Sequence, residues 1–228
     1  GEHKALQVRH FVTEIQQFVR ETFPADIEMR TDIPKDIWTI NADSTQIHQV
    51  LLNLCVNARD AMQNGGAITI TGENIWLDEH YIKMNLEAKI GPYIVVSVSD
   101  TGTGMTQEVM NKIFEPFFTT KGIGKGTGLG LSTVFSIVKS HGGFINVYSE
   151  LGRGTQFKVY LPALPTGEAE SNHIKKATFT KGNGETILLV DDEEILREVS
   201  KITLESNGYN VLTANNGEDG LRMYVSNK

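Results

Sequence analysis

The sequence predicts an α/β protein in two parts. Helical and strand patterns alternate through residues 1–163. A stretch from Pro162 to about Lys181 holds two prolines, small and charged residues, and few apolar ones. The last stretch runs strand, helix, strand, helix start, the order of a doubly wound parallel sheet. The expected domains are 1–163 and 184–228, with a linker at 164–183.

Residues 3–22 read as one amphipathic helix, with Leu6, Phe11, Ile15, Phe18 and Val19 at helical spacing and Pro24 as the stop. Short strands at 27–31 and 37–40 flank a turn at Ile33, Pro34, Lys35 and Asp36. Asp43 or Ser44 caps a helix over 45–63, which Gly65 and Gly66 end. Residues 67–75 and 93–99 alternate like paired strands around a polar connection, 77–91. A short helix at 106–113, a loop at 117–130 and a helix at 131–141 follow. Strands at 144–149 and 155–161 turn at Gly152, Arg153 and Gly154. After the linker come a strand at 186–190, a helix at 194–206, a strand at 209–214 and a helix start at Glu218. So short a stretch cannot complete a doubly wound sheet, and the second domain is expected to be cut off.

The composition excludes several classes. Of 228 residues, 39% are apolar and 21% charged, enough for a packed core. A net charge of −7 argues against a general nucleic-acid binder, whose phosphate contacts need clustered Lys and Arg. No apolar run is long enough to cross a bilayer, and residues 1–10 lack a signal core. A leading glycine in place of methionine is expected of a piece of a longer protein. The single cysteine, Cys55, excludes an internal disulfide and sits in an apolar helical run, as a buried structural thiol would.

Glycine marks the candidate chemistry. Seven of the 22 glycines lie from Gly102 to Gly130, and five alternate at 122, 124, 126, 128 and 130. Glycine permits left-handed backbone and lets a phosphate approach bare N–H groups. The run ends where a helix begins, and a helix N-terminus favours an anion. Taken alone, the run suits a hinge as well as a phosphate cradle. Neither the G-x-x-x-x-G-K-[ST] loop nor the G-x-G-x-x-G spacing occurs.

Asn53 and Asn57 are four apart in the helix 45–63 and share a face. An Asn carbonyl suits hard Mg²⁺, which takes its remaining ligands from water and phosphate. A core network or cap explains the same pair. Asp60 lies a turn further along the same side. Asp100 closes the strand YIVVSVS before two glycines, where a carboxylate can accept from an exocyclic amine; an ordinary Asp-Gly turn reads the same way.

Together and in order, NLCVNARDAM (53–62), DTGTGM (100–105), IFEPFFTTK (113–121), GTGLGLS (126–132) and GRGTQF (152–157) resemble the asparagine, phenylalanine and three glycine boxes of sensor histidine kinases. The resemblance covers about residues 4–163 and is nearest the nitrogen-regulator type. It implies the Bergerat fold shared with gyrase, Hsp90 and MutL: a two-layer α/β sandwich, mixed sheet backed by helices, with ATP under a glycine-rich lid. It further implies that Asn57 ligates Mg²⁺, with Asn53 supporting metal and phosphates beside Asp60. Asp100 would take the adenine amine, with Gly102, Gly104 and Thr155 around the base. Lys121 would reach the terminal phosphates, and Gly126, Thr127, Gly128, Leu129 and Gly130 would wrap them. Phe114, Phe117 and Phe118 serve equally as hinge packing.

Where the hydrolytic branch of this superfamily has a Glu general base, this chain has Asn53, and an amide cannot take a proton. Presentation of the γ-phosphate to an outside histidine is therefore expected over hydrolysis. None of His3, His10, His48, His80, His141 and His173 sits in the family's phosphoacceptor motif, and the resemblance implies that this histidine would lie on a dimerisation domain outside this sequence. The fragment is then unable to autophosphorylate alone. ETILLVDDEEILREVS resembles the start of a response-regulator receiver, with Asp191 and Asp192 as Mg²⁺ carboxylates and no phosphoacceptor Asp. The resemblance implies a hybrid kinase acting on a receiver or response regulator, in the cytoplasm, with no membrane contact by this part and membrane anchoring of the parent left open. The alternative is a nucleotide-binding signalling scaffold without phosphotransfer.

Overall fold

The computed structural model describes residues 3–84, 87–122, 126–165 and 182–226. The chain divides into two compact units, 1–173 and 174–228. The proposed linker falls mostly on residues 166–181, outside the described ones.

The first unit opens on a strand where a longer helix is expected. Strand β1 (Lys4–Gln7) pairs antiparallel with β3 (Thr39–Ala42), Leu6 opposite Ile40. Pairing satisfies backbone groups along the edge of β3 that would otherwise stay open. Helix α1 (Val8–Thr22) therefore starts after Gln7, whose backbone is extended. It buries Val8, Phe11, Val12, Ile15 and Val19, a stripe at helical spacing. Phe18 lies at the margin of that stripe and meets Phe23 edge-on.

Strand β2 (Ile27–Asp32) runs parallel to β4 (Gly66–Leu77). Helix α2 (Ser44–Ala61) begins at Asp43, whose carboxylate accepts from the N–H groups of Thr45 at 2.9 Å and Gln46 at 3.2 Å. The polar connection contains a short helix, α3 (Glu79–Met84), before β5 (Gly91–Asp100). Next come α4 (Gln107–Met110), α5 (Gly130–Ser140), β6 (Phe144–Glu150) and β7 (Gly154–Leu164).

These strands form a mixed seven-stranded sheet in the order β1-β3-β7-β5-β4-β2, with β6 also on β7. Among these pairings β2 with β4 is parallel and the others antiparallel. Helices α1, α2 and α5 cover one face, sharing a core that includes Ile15, Leu54, Ile68, Ile94 and Val134. Burying each such side chain contributes about 1.5–3 kcal/mol. A smaller core holds Leu77, Tyr93, Val95, Phe144 and Tyr160, with Tyr81 of α3 packed against it. The Phe144 and Tyr160 rings stack at 4.3 Å.

In the second unit, β8 (Thr186–Val190) and β9 (Asn210–Ala214) pair in parallel, Leu188 opposite Leu212. Helices α6 (Glu194–Ser206) and α7 (Gly217–Ser226) follow them. Val190, Leu196, Val199, Ile202 and Leu221 are exposed. No helix among the described residues is long and apolar enough to cross a membrane.

Candidate functional site

An open cavity of about 1130 Å³ lies between α2 and the segments that follow β5. Four parts of the chain meet there. Helix α2 contributes Asn53, Asn57 and Asp60; the end of β5 and its loop contribute Asp100, Thr103 and Gly104. The glycine-rich segment contributes Lys121, Gly126, Thr127, Gly128 and Gly130, and β7 contributes Thr155. Gly102 and Leu129 are not among the lining residues; Leu129 stands as the N-cap of α5, 40% exposed. Gly102 instead passes close to the Ala61 carbonyl at the end of α2.

Strand register brings two of the expected site residues together. Asp100 and Thr155 are direct partners across β5 and β7. Asp100 accepts the Gly102 N–H at 2.8 Å. Burial pushes its carboxyl up from the ordinary value, opposed by the backbone donors of Gly102 and Thr155. The Thr155 hydroxyl meets Ser149 Oγ at 2.8 Å, and Ser149 also accepts the Met105 N–H at 2.8 Å. Ser149 thus ties the loop after Asp100 to the β6–β7 hairpin, a role the sequence reading does not assign. Gly104 makes the tie possible: at φ 65° a Cβ there would stand 2.0 Å from the Glu150 carbonyl oxygen.

At the other end, α5 starts with no side-chain cap at Leu129. Its first residue, Gly130, lines the cavity, so unpaired helical N–H groups and the positive end of the dipole serve this space. Asn53 Nδ2 donates to the Gly130 carbonyl at 3.3 Å. The Asn57 amide nitrogen also faces Gly130, where a Cβ would lie 3.8 Å from it.

Asp60 and Lys121 are joined directly, Nζ to Oδ2 at 2.5 Å. Asp60 Oδ1 accepts from Arg59 Nε at 2.9 Å and Nη2 at 2.7 Å. Burial works to raise this carboxyl, but Lys121 and Arg59 outweigh it and hold it below the ordinary range. Arg59 is missing from the sequence reading; its only signal is its place between Asn57 and Asp60.

Phe114 and Phe118 pack partly buried against the core, while Phe117 is 73% exposed at φ 67°. Cys55, between the two asparagines, is fully buried, and burial pushes its thiol up to about 12. In the second unit, Asp191 follows β8 and accepts the Glu193 N–H at 2.8 Å; Asp192 is exposed. No cluster of three or more His, Cys, Asp or Glu able to hold a metal occurs among the described residues.

A mixed sheet backed by helices, with the cavity between α2 and a glycine-rich segment, defines the ATP-binding fold of the Bergerat type. Residues 42–165 match the family of histidine kinase-, DNA gyrase B-, and HSP90-like ATPases, and the chain belongs to that family. Within it, the first unit is an ATP-binding catalytic domain of the histidine kinase kind. It is similar to sensor kinase CckA of Brucella abortus (strain 2308), 40% identical over 228 residues that cover 96% of this chain and 24% of that protein. The chain thus spans about a quarter of that relative's length. The nucleotide-free catalytic domain of histidine kinase ThkA is 30% identical with a TM-score of 0.59, over 72% of this chain and 97% of that one. Full-length ShkA in complex with AMPPNP, 22% identical with a TM-score of 0.58, covers 96% of this chain and 42% of that one and bears on the fold alone.

Proposed function

We propose that this chain is the catalytic part of a hybrid sensor histidine kinase of nitrogen-regulator-like type. It binds Mg-ATP and presents the γ-phosphate to a histidine on a dimerisation domain outside this sequence. The observation that carries the reading is one cavity with a half-buried acceptor, Asp100, at one end and, at the other, an uncapped helix N-terminus, Asn57 and Lys121. That spacing of functions suits a purine at the acid and phosphates at the helix.

Asp100 and Thr155 hold the base. Backbone N–H groups of Gly128 and Gly130 and the Lys121 ammonium hold the phosphates. The donor set fits Mg²⁺: the Asn57 carbonyl is one hard oxygen ligand, and an ion that arrives with phosphates needs no protein cage. Bound there, Mg²⁺ would neutralise phosphate charge. Asn53 supplies no general base, which favours transfer over hydrolysis.

The second unit is read as the first part of a receiver domain, Asp191 and Asp192 contributing two of its Mg²⁺ carboxylates. The order β8, acidic pair, α6, β9, α7 supports this, as does the similarity to CckA across 96% of the chain. The protein then works in the cytoplasm with a receiver or response regulator as partner.

Titration calorimetry with AMPPNP, with and without Mg²⁺, tests the site. Binding should need Asp100 and strengthen with Mg²⁺ only when Asn57 is present. Adding the parent's dimerisation domain with labelled ATP tests transfer: label on its histidine supports the kinase, and binding without label leaves a nucleotide-binding scaffold.

A further inference from the structure

Lys121 does not stand free at the phosphate end of the cavity. Its ammonium is held by Asp60 at 2.5 Å, across 61 positions of sequence. The two ends of this pair are unequally fixed. Asp60 belongs to α2, and its other oxygen is gripped by two nitrogens of Arg59. Arg59 in turn lies over the Phe23 ring, 5.1 Å from the centroid. Lys121 sits in the turn after Phe118, where its own N–H reaches only as far as Thr119 Oγ1. The pair is partly shielded, with side chains 34% exposed for Lys121 and 24% for Asp60.

We propose that Asp60 is a positioning residue that holds Lys121 in the nucleotide-free site and yields it to the terminal phosphate of a nucleoside triphosphate. This rests on the nucleotide reading above and specifies how the site grades its ligands. A terminal phosphate carries more charge than a carboxylate and presents three acceptor oxygens, so it outcompetes Asp60 for one ammonium. A diphosphate ends short of Lys121 and leaves the pair closed. Binding a triphosphate therefore bears the cost of opening the pair, and Asp60 tempers the preference for triphosphate over diphosphate. After transfer, Lys121 returns to Asp60 and the diphosphate leaves without resistance from it.

The test is calorimetry with AMPPNP and with ADP at fixed Mg²⁺, on wild type, Asp60→Asn, Lys121→Gln and the double variant. Asp60→Asn should tighten AMPPNP about threefold to tenfold, the range of a half-screened ion pair, and move ADP less than about twofold. In the Lys121→Gln background the same substitution should move neither nucleotide. Weaker AMPPNP binding by Asp60→Asn, equal shifts for both nucleotides, or an effect that persists without Lys121 would each overturn the proposal. Hydrogen exchange of the nucleotide-free protein gives a second readout: amides at 119–122 should exchange faster in both single variants, and unchanged exchange overturns it. Should Asp60→Asn not fold, Lys121→Gln breaks the same pair from its exposed side, and exchange decides. Well-folded wild type that binds neither nucleotide overturns the nucleotide site and the exchange of partners with it. AMPPNP binding with an unmoved ratio overturns the Asp60 role alone.

Discussion

Asn53 donates its side-chain amide to the carbonyl of Gly130 at 3.3 Å, joining the middle of α2 to the first residue of α5. One side chain thereby ties α2 to the helix whose first residue lines the cavity. Asn53→Ala removes that bond while leaving the fold's core intact. AMPPNP binding should weaken about fivefold, the worth of one hydrogen bond. Amide exchange in the first turn of α5 should quicken, and unchanged exchange would place the effect elsewhere.

Asp100 carries a carboxyl whose protonation bears on stability. Burial raises its carboxyl above the ordinary value, against the donors of Gly102 and Thr155. The folded state then holds this proton better than the unfolded chain, so stability falls as pH rises from the ordinary carboxylate value through the raised one. Asp100→Asn removes that loss. Its Tm near neutral pH should lie above that of wild type, and the gap should close in acid below the carboxylate range. AMPPNP binding should weaken about tenfold or more, since a charged acceptor is lost.

The sequence makes the sheet legible through local signals. Asp43 announces the start of α2, and the alternation of 93–99 announces a strand that forms the middle of the sheet. Two elements escape it because their reasons are non-local. Lys4–Gln7 has a helical apolar pattern but becomes a strand because β3 offers an open edge. Residues 79–84 look polar, yet they fold so that Tyr81 covers Phe144 and Tyr160, residues more than sixty positions away. The same holds in the site. Motif order singles out Asp60 and Lys121 separately, whereas their pairing depends on a turn that returns to α2.

Cys55 offers a probe of the whole domain. It is fully buried on α2 and its thiol is pushed up to about 12, so it has almost no thiolate near neutral pH. Reaction with a thiol reagent should await unfolding. AMPPNP at a hundred times its Kd should then slow labelling about a hundredfold, by stabilising the folded state alone. Fast labelling that ignores nucleotide would mean local opening of α2.

Two glycines of the same run should answer substitution in opposite ways. Gly128 has φ 66°, and a Cβ there would stand 2.3 Å from the Phe117 carbonyl carbon. Its carbonyl also accepts the Phe117 N–H at 2.9 Å, so the two residues are held in close contact. Gly122 has no neighbour within 4 Å of a built Cβ. Gly128→Ala should force the turn open and weaken AMPPNP binding about tenfold or more, with Tm within about 2 °C of wild type because no core residue moves. Gly122→Ala should bind as wild type does. Equal losses in both variants would show that the run acts through flexibility rather than through the close approach at Phe117.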